Sequence, residues 1–581
     1  MRGISFVVAL TFTGGLSGRA VAQEGAEYLS GPFEGQPAPG GGFYNSFEEV
    51  RIGGDRRLAY HGTVSDSADP AAFTRIWSGE IGVERQLVRA GMAAPGGSGT
   101  YASFSDLAVN PAGRVAFVAR PRGSRQNRLF AETPDGIVLG IQNSQIGGVD
   151  EGISDVGVPG FNQNLDLAVK VELVNAEGEG FNSALLVGRP GNVAAVMKQG
   201  DPAPGIDNFR IGSLYGSGFD FTGPGENVVI NGNGELAFVA QLEAVVDGGS
   251  EESGPDSFGP NPNAIYFGKP SNLQILALVG NPIPGEVDSS YAIFFSDVAL
   301  SSDGLLAFVA IGENEFSSMD SVGYVLMLGR PGAVAPVVRQ GDAVPGGGDG
   351  VVFGSFRAPA VNARGDVVFG AEINYPNGTS RSSLWLKRVG EAPVLVAAEG
   401  NVFQTPNGPA EVTGVQFDGH GAFNDVNQAT FVLQLFNGEG VYVADTRSGY
   451  PVVSITTPAT RNEQVVARAS RFIGGTAIDE SGVDRVEVVV TSRGVTRKKR
   501  DGKMRRRARR VVERTLEVAN DGSWGFKAPL LLGRNRISVR AVDAVGNASP
   551  STDFTVIRWK GPRNSSKGQY RKLKRQVRTP N

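Results

Sequence analysis

Asn362-Ala-Arg-Gly365-Asp-Val-Val-Phe369 decides how this chain of 581 residues is read, because it recurs. Asn110-Pro-Ala-Gly113-Arg-Val-Ala-Phe117 and Asn231-Gly-Asn-Gly234-Glu-Leu-Ala-Phe238 repeat it in full. Ser301 to Phe308, Asn424 to Phe431 and Asn162 to Val169 are variants, and the first unit keeps only Leu58-Ala59-Tyr60. An Asn side chain bonds its own backbone two residues on, and a Gly three positions later enters the left-handed region at little cost. The stretch therefore predicts a tight hairpin turn, then a strand that buries its aromatic at a fixed place.

A second signature alternates with the first. Gly35-Gln-Pro-Ala-Pro-Gly40, Gly91-Met-Ala-Ala-Pro-Gly96, Gly200-Asp-Pro-Ala-Pro-Gly205, Gly280-Asn-Pro-Ile-Pro-Gly285 and Gly341-Asp-Ala-Val-Pro-Gly346 carry it, with weaker copies near Gln142 and at Gly400. The unit between Gly341 and Gly400 reads as strands near 351–360, 366–373, 383–387 and 394–398. Four strands per tandem unit and seven units predict an all-β chain with a seven-bladed β-propeller of four-stranded blades over 28–446. The last unit ends at Tyr442-Val443-Ala444-Asp445 without a fourth strand, and the chain start offers one at Tyr28-Leu29-Ser30. Lending it would close the ring and remove both open edges. An open β-solenoid is the other architecture, and it needs no complementary ends.

Over 28–446 the chain resembles the exported bacterial tandem-repeat proteins defined by an N-x-x-G-x-x-x-F repeat, through the Asn, Gly and Phe positions just quoted. The resemblance implies an exported or surface protein, often with a C-terminal anchor, and no established activity. Residues 560–581 show no hydrophobic anchor, which is a departure.

Charge divides the chain. Residues 447–581 hold 30 of the 55 Lys+Arg but 11 of the 59 Asp+Glu, for +19, while residues 1–446 carry 25 and 48, for −23. Such a split marks a domain boundary. Over 451–559, Gly474 to Val483, Val486-Glu-Val-Val-Val490, Asp521-Gly-Ser-Trp524 and Ala541 to Asn547 read as short strands and turns of a β-sandwich, and resemble a bacterial immunoglobulin-like domain. Residues 560–581 form a polar, basic tail expected to be disordered. At the other end, Arg2, the apolar stretch from Ile4 to Leu16 and Ala20-Val21-Ala22 read as a signal peptide over 1–22, predicting export to the periplasm, cell surface or medium.

Composition removes most familiar active sites. There is no Cys, and the two histidines, His61 and His420, fall at dissimilar repeat positions that read as packing or surface. No Gly-x-Ser-x-Gly elbow, phosphate-binding loop or sialidase repeat occurs. The sharpest cue is basic: Arg497, Lys498, Lys499, Arg500, Lys503, Arg505, Arg506, Arg507, Arg509 and Arg510 surround Asp501-Gly502 in a projecting hairpin. Such a cluster either holds an anionic polysaccharide or envelope polymer or is simply solvated. Without interleaved aromatics it does not read as a nucleic-acid site. Asp201 and Asp342 read as turn residues. Asp479, Glu480, Asp484 and Asp543 offer oxygens for Ca²⁺ but match no known loop spacing. Residues 246–263 read as a surface loop. The resulting expectation is a non-enzymatic, exported binding or adhesion protein without cofactor or metal, its propeller rim meeting a glycan or protein. The alternatives are a polysaccharide or lactone hydrolase with its site at the propeller channel, and a structural scaffold.

Overall fold

A computed structural model describes residues 27–54, 56–65, 73–141, 152–174, 181–215, 227–245, 262–286, 289–314, 317–446, 452–457, 464–466, 469–478, 483–492, 510–519, 522–543 and 552–558, with the two-residue strands 7–8, 497–498 and 504–505. The described residues form an all-β protein. Its chain divides into two compact units, Met1–Thr446 and Arg447–Asn581.

The first unit holds seven antiparallel sheets. The sixth shows the pattern plainly: Val352–Val361, Val367–Asn374, Ser380–Lys387 and Val394–Ala398 pair in chain order. Each of these strands lies within three residues of its expected span. Between the second and third strands, one bulky pair recurs at the same place in every sheet. Tyr60 faces Trp77, Phe117 faces Phe130, Val169 faces Leu186, Phe238 faces Tyr266, Phe308 faces Met327, Phe369 faces Trp385 and Phe431 faces Tyr442. All of these side chains are buried. Phe117–Phe130 and Phe238–Tyr266 stack with ring centroids 5.5 Å apart. This is why the octapeptide ends in an aromatic: it fixes the register of the strand it opens.

The Gly-Pro signature is the turn into six of the sheets; the weak copy near Gln142 lies outside the described residues. The Gly35, Gly91, Gly200, Gly280, Gly341 and Gly400 amides donate to the carbonyls of Tyr44, Tyr101, Ile211, Tyr291, Phe353 and Val412, at 2.7–2.9 Å. Asp201 and Asp342 accept from the Lys198 and Arg339 amides at 2.7 and 2.8 Å, so their carboxylates finish the turn.

Each sheet packs against the next, and the seventh packs against the first, completing a circuit. Strand Glu27–Phe33 from the chain start pairs with Gly438–Asp445 and supplies the fourth strand of the seventh sheet, with Val7–Val8 paired beyond it. The seventh sheet also gains Val402–Thr405, where the weak Gly400 signature is drawn out into a hairpin.

In the second unit, a three-stranded sheet (Val452–Thr457, Ser470–Ile478, Ser523–Pro529) and a five-stranded sheet share one core. Ile473 and Trp524 from the first meet Val486, Val488, Ile537, Val539 and Val556 from the second.

Candidate functional site

The turn signatures of all seven sheets converge on one cavity of about 480 Å³. Ile52, Val109, Phe161, Ile230, Leu300, Val361 and Phe423 line it, one from each sheet. Each immediately precedes the first position of its octapeptide, so the repeat itself builds an apolar collar. Asn162, Gln163, Asn231, Asn424, Asp425 and His420 add polar edges. Ser301 also lines the wall, but its hydroxyl donates to Asp303 at 2.6 Å and accepts from the Leu305 amide at 2.8 Å.

The signature Asn residues stand just behind the collar and work in two directions. Asn162 Oδ1 accepts from the Asn164 and Asp166 amides at 2.9 Å, closing its own turn. Its Nδ2 donates to the Asn231 carbonyl of the next sheet at 2.9 Å. Asn110 reaches the Asn162 carbonyl at 3.2 Å, Asn231 the Ser301 carbonyl at 3.3 Å, and Asn362 the Asn427 side-chain oxygen at 2.6 Å. The relay lapses at the fifth sheet, where Ser301 turns its hydroxyl to Asp303, and at the first, which has glycine instead. A Cβ on Gly53 would lie 2.3 Å from the Asn110 carbonyl oxygen, and one on Gly54 2.4 Å from that of Pro111, so backbone packs on backbone there. Where the turn lacks its Gly, Arg56, Leu165 and Asn427 take φ of 55°, 67° and 58°.

A charged cluster adjoins the cavity where the seventh, first and second sheets meet. Arg51, 8% exposed, contacts the Glu49 carboxylate through Nη2 and lies 3.5 Å from Asp418 through Nη1. Glu49 accepts from the Leu107 amide at 2.8 Å and Asp418 from the Val50 amide at 3.1 Å, tying the three sheets together. Burial pushes the Glu49 carboxyl up to about 8, against the pull of Arg51 and with the help of Asp106 and Asp418. Burial and the adjacent Arg51 drive His420 down to about 3. Burial also lowers His61, opposed by Glu48, whose carboxylate lies 3.4 Å from Nδ1. Both histidines therefore border one cluster. Sequence reasoning placed them apart, and the available signal was local: Glu48-Glu49-Val50-Arg51 puts charge on an inner strand.

The basic residues picked out by sequence stand elsewhere. Arg497 pairs with Arg505, and Lys498 with Met504, in a two-residue antiparallel ladder. Arg510, exposed, pairs with Ser492 at the end of a longer ladder joining Val483–Ser492 to Arg510–Glu517. Lys499, Arg500, Lys503, Arg506, Arg507 and Arg509 lie outside the described residues. So do Asp479 and Glu480, nearly all of 246–263 and of 1–22, and the whole of 560–581. Asp484 is taken by Arg485 at 2.8 Å. Among the described residues no group of three or more acidic or histidine side chains is placed to hold a metal, and no helix is long and apolar enough to cross a membrane.

No curated protein matches the sequence. Among solved structures, a Pyrococcus horikoshii acylaminoacyl peptidase is 9% identical, with TM-score 0.37 over 78% of this chain and 61% of its own. Prolyl oligopeptidase B from Galerina marginata is 11% identical, with TM-score 0.32 over 76% of this chain and 55% of its own. A Dyadobacter fermentans protein of unknown function is 9% identical, with TM-score 0.28 over 73% and 99%. The chain thus spans about three fifths or less of the two peptidases, and at these scores none of the three bears on its activity. The family described as "Family of unknown function (DUF7453)" matches in three overlapping segments, 19–141, 129–446 and 330–525. Covering most of the sequence, that match shows that the chain belongs to the DUF7453 family.

Proposed function

We propose that the chain is an exported, non-catalytic binding protein. In this reading the seven sheets are the blades of a β-propeller, and the second unit is an immunoglobulin-like sandwich. The observation that carries the proposal is the collar, in which seven apolar side chains and an amide-rich edge enclose about 480 Å³. Pockets that bind small ligands are mostly apolar with a few oriented polar groups, and Phe161 and Phe423 supply flat faces. The carboxylates and hydroxyl nearby are engaged elsewhere: Glu49, Asp418 and Asp425 hold backbone amides, and the Ser301 hydroxyl holds its own turn. The fitting ligand has an apolar face and hydrogen-bonding edges, as a glycan residue or a protein side chain does. Saturation-transfer NMR of the full chain against neutral fragments should give binders that Phe161→Ala and Phe423→Ala weaken at least tenfold; binders indifferent to both would overturn the assignment.

The basic stretch from Arg493 to Arg510, with 11 Lys+Arg, fits a second role in holding an anionic envelope or matrix polymer. Retention of the full chain on polygalacturonate should fall steeply between about 50 and 500 mM salt, because screening shortens the reach of surface charge. Salt-independent passage would remove this role.

A further inference from the structure

A second cavity, of about 360 Å³, opens between the sixth and seventh sheets, and its wall is almost entirely polar. Arg357 comes from the inner strand of the sixth sheet, Glu372 from its second, Ser382 from its third, and Glu399 from just beyond its fourth. Thr413 and Gln434 face them from the seventh sheet. Two glycines make room for the longer arms. A Cβ on Gly370 would lie 3.0 Å from Arg357 Cγ, and one on Gly414 2.7 Å from Gln434 Oε1. One carboxylate is held in place, since Ser382 Oγ donates to Glu399 Oε1 at 2.7 Å. Arg357, Glu372, Thr413 and Gln434 make no side-chain hydrogen bond or ion pair with any described residue. Donors and acceptors thus converge on one groove with their valences open. Elsewhere on this surface charged arms close on each other, as Arg210 does on Glu243 at 2.6 Å.

We propose that this groove is a binding site for a neutral polyhydroxylated ligand, a sugar residue of a glycan. A hydroxyl both donates and accepts, so a ring of hydroxyls can satisfy a guanidinium, an amide and two carboxylates within one wall. Two carboxylates against one guanidinium disfavour an anion, and a wall whose one apolar side chain is Val415 disfavours an apolar ligand. The volume falls within the range of about 300–1,000 Å³ usual for small-molecule sites. The site is separate from the collar cavity and does not depend on its assignment.

The test uses the full chain against immobilised neutral gluco-, manno-, galacto- and xylo-oligosaccharides, followed by calorimetry with the best binder and with tetragalacturonate. Saturable binding of a neutral oligosaccharide is expected, weakened at least tenfold by Glu372→Gln and by Arg357→Gln and unchanged by Arg210→Gln on the fourth sheet. The two groove positions are exposed or half-buried, so thermal unfolding should stay at the parent value. No neutral binder, tetragalacturonate bound more tightly than the neutral sugar and lost in Arg357→Gln, or neutral binding lost in Phe423→Ala but kept in both groove variants would each overturn the proposal. The last outcome would move the sugar to the collar cavity.

Discussion

At the scale of the residue, the repeat signature is a division of labour within one side chain. The sequence shows the acceptor half of the Asn: its oxygen caps amides two and four positions on, as at Asn162. The donor half, reaching the neighbouring sheet, was not legible, because a bond between residues 69 apart leaves no local trace. The Arg51 cluster was half hidden for the same reason: Glu49 stands two residues away on the same strand, but Asp418 comes from the seventh sheet. His420 makes the consequence measurable. Its neutral form is favoured in the fold, where its pKa is about 3, so the unfolded chain takes up a proton first as pH falls below the usual histidine value of 6.5. The stability this gives is complete above that value and is lost as pH falls towards 3. Between pH 6.5 and 5 the loss is about 2 kcal/mol, at roughly 1.4 kcal/mol per unit. Glu49 runs the other way: raised from 4.5 to about 8, it favours the fold at low pH and loses that advantage as pH rises through 8. Comparing the parent with His420→Gln cancels the Glu49 contribution. Urea unfolding should therefore show the variant gaining about 2 kcal/mol on the parent when pH drops from 7.5 to 5. A pH-independent difference would contradict the burial assigned to His420.

At the scale of the element, strands were read with little error because their cues are local: a turn with a fixed Gly, then an aromatic that must meet its partner. The turns that break the rule are just as instructive. Leu165 and Arg56 stand where Gly is expected and still adopt positive φ, which costs an ordinary residue about 1–2 kcal/mol. Packing across the circuit therefore overrides local preference. The relay between sheets is the counterpart of that packing, and Asn162 tests it. Asn162→Ala removes two amide caps and the donation to Asn231, in a residue 2% exposed. A cost of about 2–4 kcal/mol is expected, at roughly 1 kcal/mol per hydrogen bond and more for buried groups left unpaired. Asn162→Asp keeps the cap acceptors and loses the donation, so it should also destabilise. If the Ala variant unfolds within about 0.5 kcal/mol of the parent, the relay is not what joins the sheets.

At the scale of the molecule, the division of charge falls where the two compact units part, between Thr446 and Arg447. The collar cavity is a property of the whole circuit and of no single sheet, because each contributes at least one apolar residue to it. That is why no scan for catalytic motifs could find it, although every residue in it stands beside a signature that the sequence displays. The first unit is a closed circuit, sealed by a strand from the chain start. Leu29 and Val443 are register partners across that seal and both are buried. The chain has no Cys of its own, so a Leu29→Cys/Val443→Cys pair reports closure without background. Mild oxidation of the full chain should convert nearly all of it to an intramolecular crosslinked form that runs faster than the reduced form on a denaturing gel. A chain that stays uncrosslinked, or that links only between molecules, would contradict the closed circuit and the cavity built on it.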